Sequence, residues 1–224
     1  MRVPEGSTEP EVDSWAELEV SALLGHLGVL NRPEPVVVAV DGRSGAGKST
    51  LARHLTAALT DAALVSTDDI AWHFSMFDWA AELIANIVEP VRRGEPVSYR
   101  PPGWVARDRP GALTVAADRS LLVIEGVGSS QRALTGALDA AVWVQSDVAA
   151  ARRLGIERDV AGGVNGDRAA SIAFWDEWAA AEGPFLEREA PWSRAHAMVA
   201  GVPVAVPSGL RGVLVRSAGG SGAP

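Results

Sequence analysis

Eight residues near the start of the chain have the types and the spacing that a phosphate-binding loop requires. The segment reads Gly42-Arg43-Ser44-Gly45-Ala46-Gly47-Lys48-Ser49 and fills every fixed position of the pattern G-x-x-x-x-G-K-[ST]. In this pattern, backbone N–H groups surround phosphate oxygens, the lysine neutralises the β- and γ-phosphates, and the serine hydroxyl binds Mg²⁺. The spacing predicts a nucleoside triphosphate site with Mg²⁺, in which the nucleotide contacts are Gly42, Ser44, Gly45, Ala46, Gly47, Lys48, Ser49 and Thr50.

Carboxylates follow two other apolar runs, at the points where those runs end. Asp68 and Asp69 come shortly after one run, and Glu125 directly follows the other. If the runs are parallel strands, their carboxyl ends meet at the edge of the sheet where ligands bind. We expect Asp68 to act as the general base and, together with Ser49 and Glu125, to bind Mg²⁺. Asp69 is expected to orient the substrate, and the alternative for this residue is a helix N-cap.

Three arginines, Arg152, Arg153 and Arg158, lie in one stretch with a helical pattern. Cations in such a position stabilise the charge that spreads over a phosphoryl group during its transfer, as they do in the lids of kinases. We expect Arg152 and Arg153 to take part in catalysis, with Arg153 also contacting the nucleotide. Arg158 is expected to contact the substrate. The alternative is a helix surface on which these arginines pair with Glu157 and Asp159.

The elements that must position these residues follow from the pattern of apolar residues. Short apolar runs alternate with amphipathic segments, which indicates a parallel sheet with helices on both faces. We predict strands at 36–40, 64–66, 121–124, 140–144 and 202–206, and helices at 14–30, 50–59, 80–93, 147–158 and 167–181. The expected organisation is a flexible tail at 1–13, one domain at 14–216 with a lid at about 148–166, and a flexible tail at 217–224.

Composition limits the classes of partner. The chain of 224 residues has a net charge of −8, from 28 acidic and 20 basic residues, which argues against nucleic acid because phosphate backbones bind basic surfaces. There is no cysteine, so disulfides and thiolate metal sites are excluded. Neither a signal peptide nor an apolar run long enough for a membrane span is recognisable, which favours a soluble cytoplasmic protein without membrane contacts. The oligomeric state stays open, with a homodimer among the alternatives.

Four motifs together resemble those of the uridine kinase and phosphoribulokinase group of P-loop small-molecule kinases. They are the loop with its flanks at 40–52, Asp68-Asp69, Glu125-Gly126, and the lid pairs Arg152-Arg153 and Arg158-Asp159, in the order found in that group and over about residues 36–207. The resemblance implies an α/β fold, a P-loop NTPase three-layer sandwich with a five-stranded parallel sheet and a helical lid. It also implies that ATP, with Mg²⁺, donates its γ-phosphoryl group to a hydroxyl of a small molecule, a nucleoside or nucleoside-like compound.

The resemblance further implies roles for residues outside the phosphate loop. In that group the first acid after the second strand, here Asp68, is the general base. The excursion at 95–110 shapes the acceptor pocket, so the expected substrate contacts there are Tyr99, Arg100, Trp104 and Arg107, with His73 as a further candidate. The chain departs from the group directly after the acidic pair, where Ile70-Ala71 replaces the aromatic residues common at that point.

Other nucleotide-binding classes are compatible with parts of this pattern. A nucleoside monophosphate kinase needs cations for the phosphate of its acceptor, and Arg100, Arg107 and Arg109 are available in the excursion. A regulatory module that binds nucleotide without catalysis would use the same loop and the same Mg²⁺ site. A GTP-binding switch protein is disfavoured because the guanine-reading motif N-K-x-D is absent from the sequence.

Overall fold

A parallel β-sheet forms the middle layer of the fold. The computed structural model describes residues 1–12, 14–30 and 32–202 and the strand Leu210–Leu214. In chain order the strands are β1 (Ala16–Leu18), β2 (Val36–Gly42), β3 (Ala62–Ser66), β4 (Val97–Tyr99), β5 (Leu113–Val115), β6 (Leu121–Glu125), β7 (Ala140–Gln145), β8 (Ala197–Ala200) and β9 (Leu210–Leu214).

The order of the main sheet is β1-β9-β8-β7-β2-β6-β3. The neighbours β8, β7, β2, β6 and β3 all run parallel, which confirms the predicted five-stranded parallel sheet. Two antiparallel strands, β9 and β1, extend the sheet beyond β8 and were not predicted. Strands β4 and β5 pair with each other as a separate antiparallel ladder within the excursion.

Helices connect and cover the strands. They are α1 (Val20–His26), α2 (Lys48–Ala57), α3 (Thr67–Ala71), α4 (Ala80–Leu83), α5 (Glu89–Arg92), α6 (Pro102–Ala106), α7 (Val148–Gly162) and α8 (Arg168–Glu189). A π-helical turn, Ile84–Val88, joins α4 to α5, and 3₁₀ turns occupy Arg132–Ala137 and Pro191–Arg194. None of the helices among these described residues has the length and apolar character that a membrane crossing requires.

Alternation along β2 separates two faces of the sheet. Val36, Val38 and Val40 belong to a buried cluster that includes side chains of α1 and α2. The intervening Val37 belongs to a cluster with α3 to α5 on the other face. On that same side, Trp143 of β7 shares a third cluster with residues of α8. Because successive strand residues point to opposite faces, these clusters make three layers, as predicted.

Some predicted boundaries are corrected by the structure. The helix expected at 14–30 is confined to Val20–His26, because the preceding Ala16–Leu18 pairs with β9 as a strand. Helices α7 and α8 both extend beyond their predicted ends, so the glycine-rich break between them covers only 163–167. The strand predicted at 202–206 and the tail at 217–224 lie outside the described residues, apart from Val202; the fifth parallel strand is β8.

The N-terminal segment, expected to be a flexible tail, inserts a carboxylate into the domain. Glu9 is only 5% exposed. Its Oε1 accepts hydrogen bonds from Trp143 Nε1 at 2.7 Å and Gln145 Nε2 at 3.0 Å, and its Oε2 pairs with Arg43 Nη2 at 3.0 Å. A buried carboxylate requires such partners. Glu9 therefore attaches this segment to the domain, while the predicted flexibility of residues 1–13 stays a prediction.

Candidate functional site

Two glycines give the phosphate loop its shape. Gly47, the N-cap of α2, has φ +101°, and Gly45 has φ +76°, conformations that favour glycine. A Cβ at position 45 would also overlap the backbone carbonyl of Ala151 in α7. The loop thus turns directly onto the N-terminus of α2, where the helix dipole favours an anion, while α7 packs against its outer side.

Opposite charges meet on the inner side of the loop. Lys48 and Glu125 are each 8% exposed. Lys48 Nζ donates a hydrogen bond to the carbonyl oxygen of Arg43 at 2.9 Å, and Ser49 Oγ donates to Glu125 Oε2 at 3.2 Å. Burial raises the pKa of Glu125, the charge of Lys48 opposes that shift, and the charge of Asp68 adds to it. These groups therefore form one electrostatically connected set.

The oxygen groups of this set fit a magnesium ion. Mg²⁺ usually keeps several waters and takes one or two carboxylates together with the phosphates of a substrate. Ser49, Asp68 and Glu125 border the same cavity and offer one hydroxyl and two carboxylates. No group of three or more His, Cys, Asp or Glu residues in the described part of the chain could hold a metal by itself. A Mg²⁺ ion held here would be completed by nucleotide phosphates and water.

A cavity of about 510 Å³ joins the phosphate loop to these acids. One side consists of the loop and the start of α2, and the strand ends contribute the acids and Val127. Helices α7 and α8 contribute the rest of the lining, which is largely apolar apart from Arg158 and Asp159. The lining residues from these two helices are Leu154, Gly155, Arg158, Asp159, Phe174, Trp175 and Trp178.

The structure brings most of the predicted nucleotide residues to this cavity. Its lining includes Ser44, Gly45, Gly47, Lys48, Ser49 and Thr50, whereas Gly42 and Ala46 lie in the loop without lining the cavity. Among the lid arginines, Arg158 lines the cavity and binds Asp159 at 2.8 Å. Arg152 instead pairs with Asp176 at 2.5 Å, and Arg153 is exposed; neither belongs to the lining, so their roles stay predictions.

The residues predicted at the acceptor do not converge on the cavity, with the exception of Arg158. His73 is exposed and has its ring edge-on to Trp72, and Tyr99 Oη donates to Glu82 Oε2 at 2.5 Å. Arg100 and Arg107 are exposed, and Trp104 is buried. Asp69 does not line the cavity and pairs with Arg109 at 2.9 Å. The excursion thus builds its own cluster beside the cavity, and the predicted substrate roles of these residues stay untested.

Sequence reasoning missed the contacts that hold the loop from outside. Glu182 of α8 is buried, and its Oε1 accepts from the backbone N–H of Ser44 at 2.7 Å. Trp178 Nε1 donates to Ser44 Oγ at 2.7 Å. Trp175, Trp178 and Glu182 have helical spacing, which was a readable sign of one buried helix face. The spacing does not indicate that this face of α8 packs against the phosphate loop.

Asp41 is a second residue that was missed as part of the site's frame. It is 1% exposed and follows the buried valines of β2. Its carboxylate accepts from the backbone N–H groups of Gly42 (2.8 Å), Gly128 (3.0 Å) and Ser130 (3.0 Å), and from Ser130 Oγ at 2.7 Å. Burial raises the pKa of Asp41, and the hydrogen bonds of Ser130 and Gly42 oppose the shift. This carboxylate joins the phosphate loop to the loop that follows Glu125.

Three features define the class of fold as that of the P-loop kinases: the strand order, the loop between β2 and α2, and the acids at the ends of β3 and β6.

No protein-family model and no curated protein matches the chain. Solved structures do match it. One is a proposed fructose transport system kinase from Silicibacter sp. TM1040, with a TM-score of 0.55 and 22% identity over 77% of this chain and 95% of that one.

Two further structures show the same architecture. A protein proposed to be a uridine kinase, from Bacillus stearothermophilus, has a TM-score of 0.50 and 17% identity over 80% of this chain and 96% of that chain. The YGR205w protein has a TM-score of 0.53 and 11% identity over 82% of this chain and 93% of its own. At these identities the likeness establishes the fold, and it agrees with the uridine-kinase-like resemblance of the motifs.

Proposed function

We propose that this protein is an ATP-dependent kinase that transfers the γ-phosphoryl group to a hydroxyl of a small molecule, a nucleoside or nucleoside-like compound. The observation that carries the proposal is the shared cavity, in which Lys48 and Ser49 of the phosphate loop face Asp68 and Glu125. A triphosphate cradle beside a carboxylate at a strand end supplies the two sides of a phosphoryl transfer.

Each residue in this proposal has a definite task. The N–H groups of the loop and the Lys48 ammonium bind the β- and γ-phosphates. Asp68 accepts the proton of the acceptor hydroxyl as the acceptor oxygen bonds to the γ-phosphorus and the bond from that phosphorus to the β–γ bridging oxygen breaks, releasing ADP. Ser49, Asp68 and Glu125 would hold Mg²⁺, which supplies neutralising charge between the phosphates. Arg158 is the lid arginine that lines the cavity.

The cations considered for the phosphate of a nucleoside monophosphate lie outside the cavity, whose own arginines are Arg53 and Arg158. Arg100, Arg107 and Arg109, the cations considered for an acceptor phosphate, are not among the residues that line it. Arg109 is already neutralised by Asp69. On the side of α8 the cavity offers Phe174, which is 46% exposed, beside Trp175 and Trp178. Aromatic side chains of this kind bind a ring-bearing compound by stacking and apolar contact.

The test is mass spectrometry of products after incubation with Mg-ATP and a pooled library of nucleosides, sugars and other hydroxylated compounds. We expect one class of compound to gain a phosphoryl group. Asp68→Asn should lower product formation by about 10²- to 10⁴-fold while ATP binding is retained, because the positioned base is lost. Asp78→Asn is the matched control, since Asp78 is an exposed acid outside the cavity, and it should behave like the wild-type protein.

Two results would contradict the proposal. Full activity of Asp68→Asn would remove Asp68 as the base. ATP binding by the wild-type protein without any phosphorylated product from the library would favour a nucleotide-binding regulatory module.

A further inference from the structure

We propose that Asp69, Trp104 and Arg109 form a clamp on helix α3 that aims Asp68 at the cavity, so that they are positioning residues and do not contact the substrate. This inference rests on the proposed function, because it uses Asp68 as the general base. It reassigns two residues, Asp69 and Trp104, that the sequence placed at the acceptor.

Helix α3 is too short to hold its own position. It has five residues, Thr67–Ala71, and no side chain caps its N-terminus. Isolated helices of this length are unstable in water, so its geometry must come from tertiary contacts. Thr67 and Ile70 are buried, at 2% and 0% exposure, and attach one side of the helix to the domain. The direction of Asp68, which is exposed to the cavity, depends on what holds the other side.

The clamp supplies that second attachment from the excursion. Trp104 Nε1 donates to the carbonyl oxygen of Asp69 at 2.7 Å. Arg109 Nη2 binds Asp69 Oδ1 at 2.9 Å, and its guanidinium lies 3.6 Å from the ring centroid of Trp104 and 5.0 Å from that of Trp72. Asp69 is therefore held by both its backbone and its side chain, and the arginine that holds it is itself held against two aromatic rings.

A close backbone contact fixes the distance between the excursion and α3. Gly103 packs against the carbonyl oxygen of Trp72 so tightly that a Cβ at position 103 would overlap it. Arg100 Nη2 donates to the carbonyl oxygen of Arg109 at 2.8 Å and so fixes the backbone that carries the clamp's arginine. Helix α6 and the residues after it thus form a rigid support for α3.

Helical geometry converts this attachment into the orientation of Asp68. Consecutive residues of an α-helix are about 100° apart around its axis. Holding the carboxylate of Asp69 on Arg109 fixes the rotation of α3, and Asp68 then faces the phosphate loop. The charges of Asp69 and Arg109 neutralise each other, and the guanidinium lies against the rings of Trp104 and Trp72, so the principal contacts of this pair are within the clamp.

The experiment compares Arg109→Met with Arg93→Met, an exposed arginine just before the excursion whose ion pairs with Glu89 and Glu95 lie outside the clamp. The acceptor is the library compound that the wild-type protein phosphorylates fastest. We expect Arg109→Met to lower kcat by about 10- to 100-fold, the usual effect of misplacing a reacting group by about 1 Å, with the KM for ATP and the KM for the acceptor nearly unchanged. Arg93→Met should match the wild-type protein.

A double-mutant cycle separates the clamp from an unrelated loss of activity. Asp69→Asn and Arg109→Met break the same ion pair, so the double variant should be hardly worse than either single variant. Arg109→Lys keeps the charge but loses the flat guanidinium that stacks on Trp104, and it should restore only part of kcat. If Arg109→Met does not fold, as thermal unfolding would reveal, Trp104→Phe tests the same idea by removing only the indole N–H donor.

The outcomes that overturn the clamp differ from those that overturn the kinase. A raised KM for the acceptor at unchanged kcat would make Arg109 a substrate contact. Wild-type kinetics of both Arg109→Met and Trp104→Phe would remove any role in aiming Asp68, while the loss of activity in Asp68→Asn would still stand. Full additivity in the double-mutant cycle would likewise overturn the clamp.

Discussion

Replacing Glu182 by alanine should weaken nucleotide binding although this residue does not line the cavity. Glu182 Oε1 accepts from the backbone N–H of Ser44 at 2.7 Å and from Trp178 Nε1 at 3.2 Å. Trp178 Nε1 has a second acceptor in Ser44 Oγ at 2.7 Å. The substitution therefore leaves the Trp178 indole with one acceptor but removes the acceptor of the Ser44 N–H. Loss of that hydrogen bond loosens the first half of the phosphate loop.

The size of the effect follows from this one lost contact. A hydrogen bond to a charged group contributes about 1.5–3 kcal/mol. If ATP binds only to the ordered loop, binding to the variant must first order the loop again. The whole of this free energy is then lost from the free energy of ATP binding. Since 1.4 kcal/mol is about a factor of ten, Glu182→Ala should weaken ATP binding by roughly 10- to 100-fold. Glu182→Gln keeps a carbonyl oxygen for the Ser44 N–H, so its affinity should fall only a few-fold.

Titration calorimetry with ATP and Mg²⁺ measures the affinities, and thermal unfolding of the same samples shows whether the domain is intact. Glu177→Ala is the matched control, because it removes one carboxylate from an exposed position of the same helix. Equal affinities of Glu182→Ala and Glu177→Ala would refute the reasoning. Tighter binding by Glu182→Ala would refute it too, since the carboxylate would then compete with a phosphate for the Ser44 N–H.

Two further predictions concern stability. Gly155→Ala places a Cβ on the ring of Trp175 and should lower the free energy of unfolding by about 1–3 kcal/mol, whereas Gly183→Ala, which meets nothing within 4 Å, should not; chemical denaturation measures both. His196 Nδ1 accepts from the Ala141 N–H at 3.2 Å, and burial, with the charge of His26, lowers the pKa of His196. Because folding favours the neutral form of His196, its contribution to the free energy of unfolding should be fully present above pH ~6.5 and be lost as the pH falls below that value. The decline of the free energy of unfolding with falling pH should be less steep in His196→Gln, and equal slopes for the two proteins would contradict this.

The phosphate loop and the central strands were predictable because their signals are local. Gly45, Gly47 and Lys48 form one continuous motif, and the valines of β2 are buried on both faces, so an apolar run suffices to recognise the strand. The positions of Asp68 and Glu125 then followed from the rule that strand ends of a parallel sheet meet at one edge. The structure does place both carboxylates on the cavity with the loop.

Elements at the margins of the sheet depend on distant partners. Ala16–Leu18 has residues at helical spacing around it, but β9, from the other end of the chain, pairs with it and makes it a strand. Pairing with a distant segment overrides a weak helix preference, and no local window contains that information. The extension of α8 past Pro184 is similar, because packing of Phe185 and Leu186 in the core stabilises the helix beyond the proline.

The acceptor side was the least predictable part of the site for a related reason. The excursion does contain aromatic and cationic residues, yet their partners are each other and α3, as the stacking of Arg109 on Trp104 shows. The apolar surface of the cavity comes instead from α8, through Phe174 and Trp178. Composition identifies side chains capable of binding a ring, but only tertiary structure decides which of them reach the phosphate loop.

The same long-range contacts determine how ready the loop is for nucleotide. Arg43 and Ser44 occupy positions that the motif leaves free, and buried carboxylates from opposite ends of the chain hold them, Glu9 on the first and Glu182 on the second. A loop already fixed in this way loses less conformational freedom on binding, so more of the contact energy with phosphate appears as affinity. Sequence variation at position 43 should therefore be tolerated only together with a change at Glu9, because Arg43 and Glu9 form a single buried ion pair. Glu182 instead holds a backbone N–H, which every residue except proline would keep at position 44.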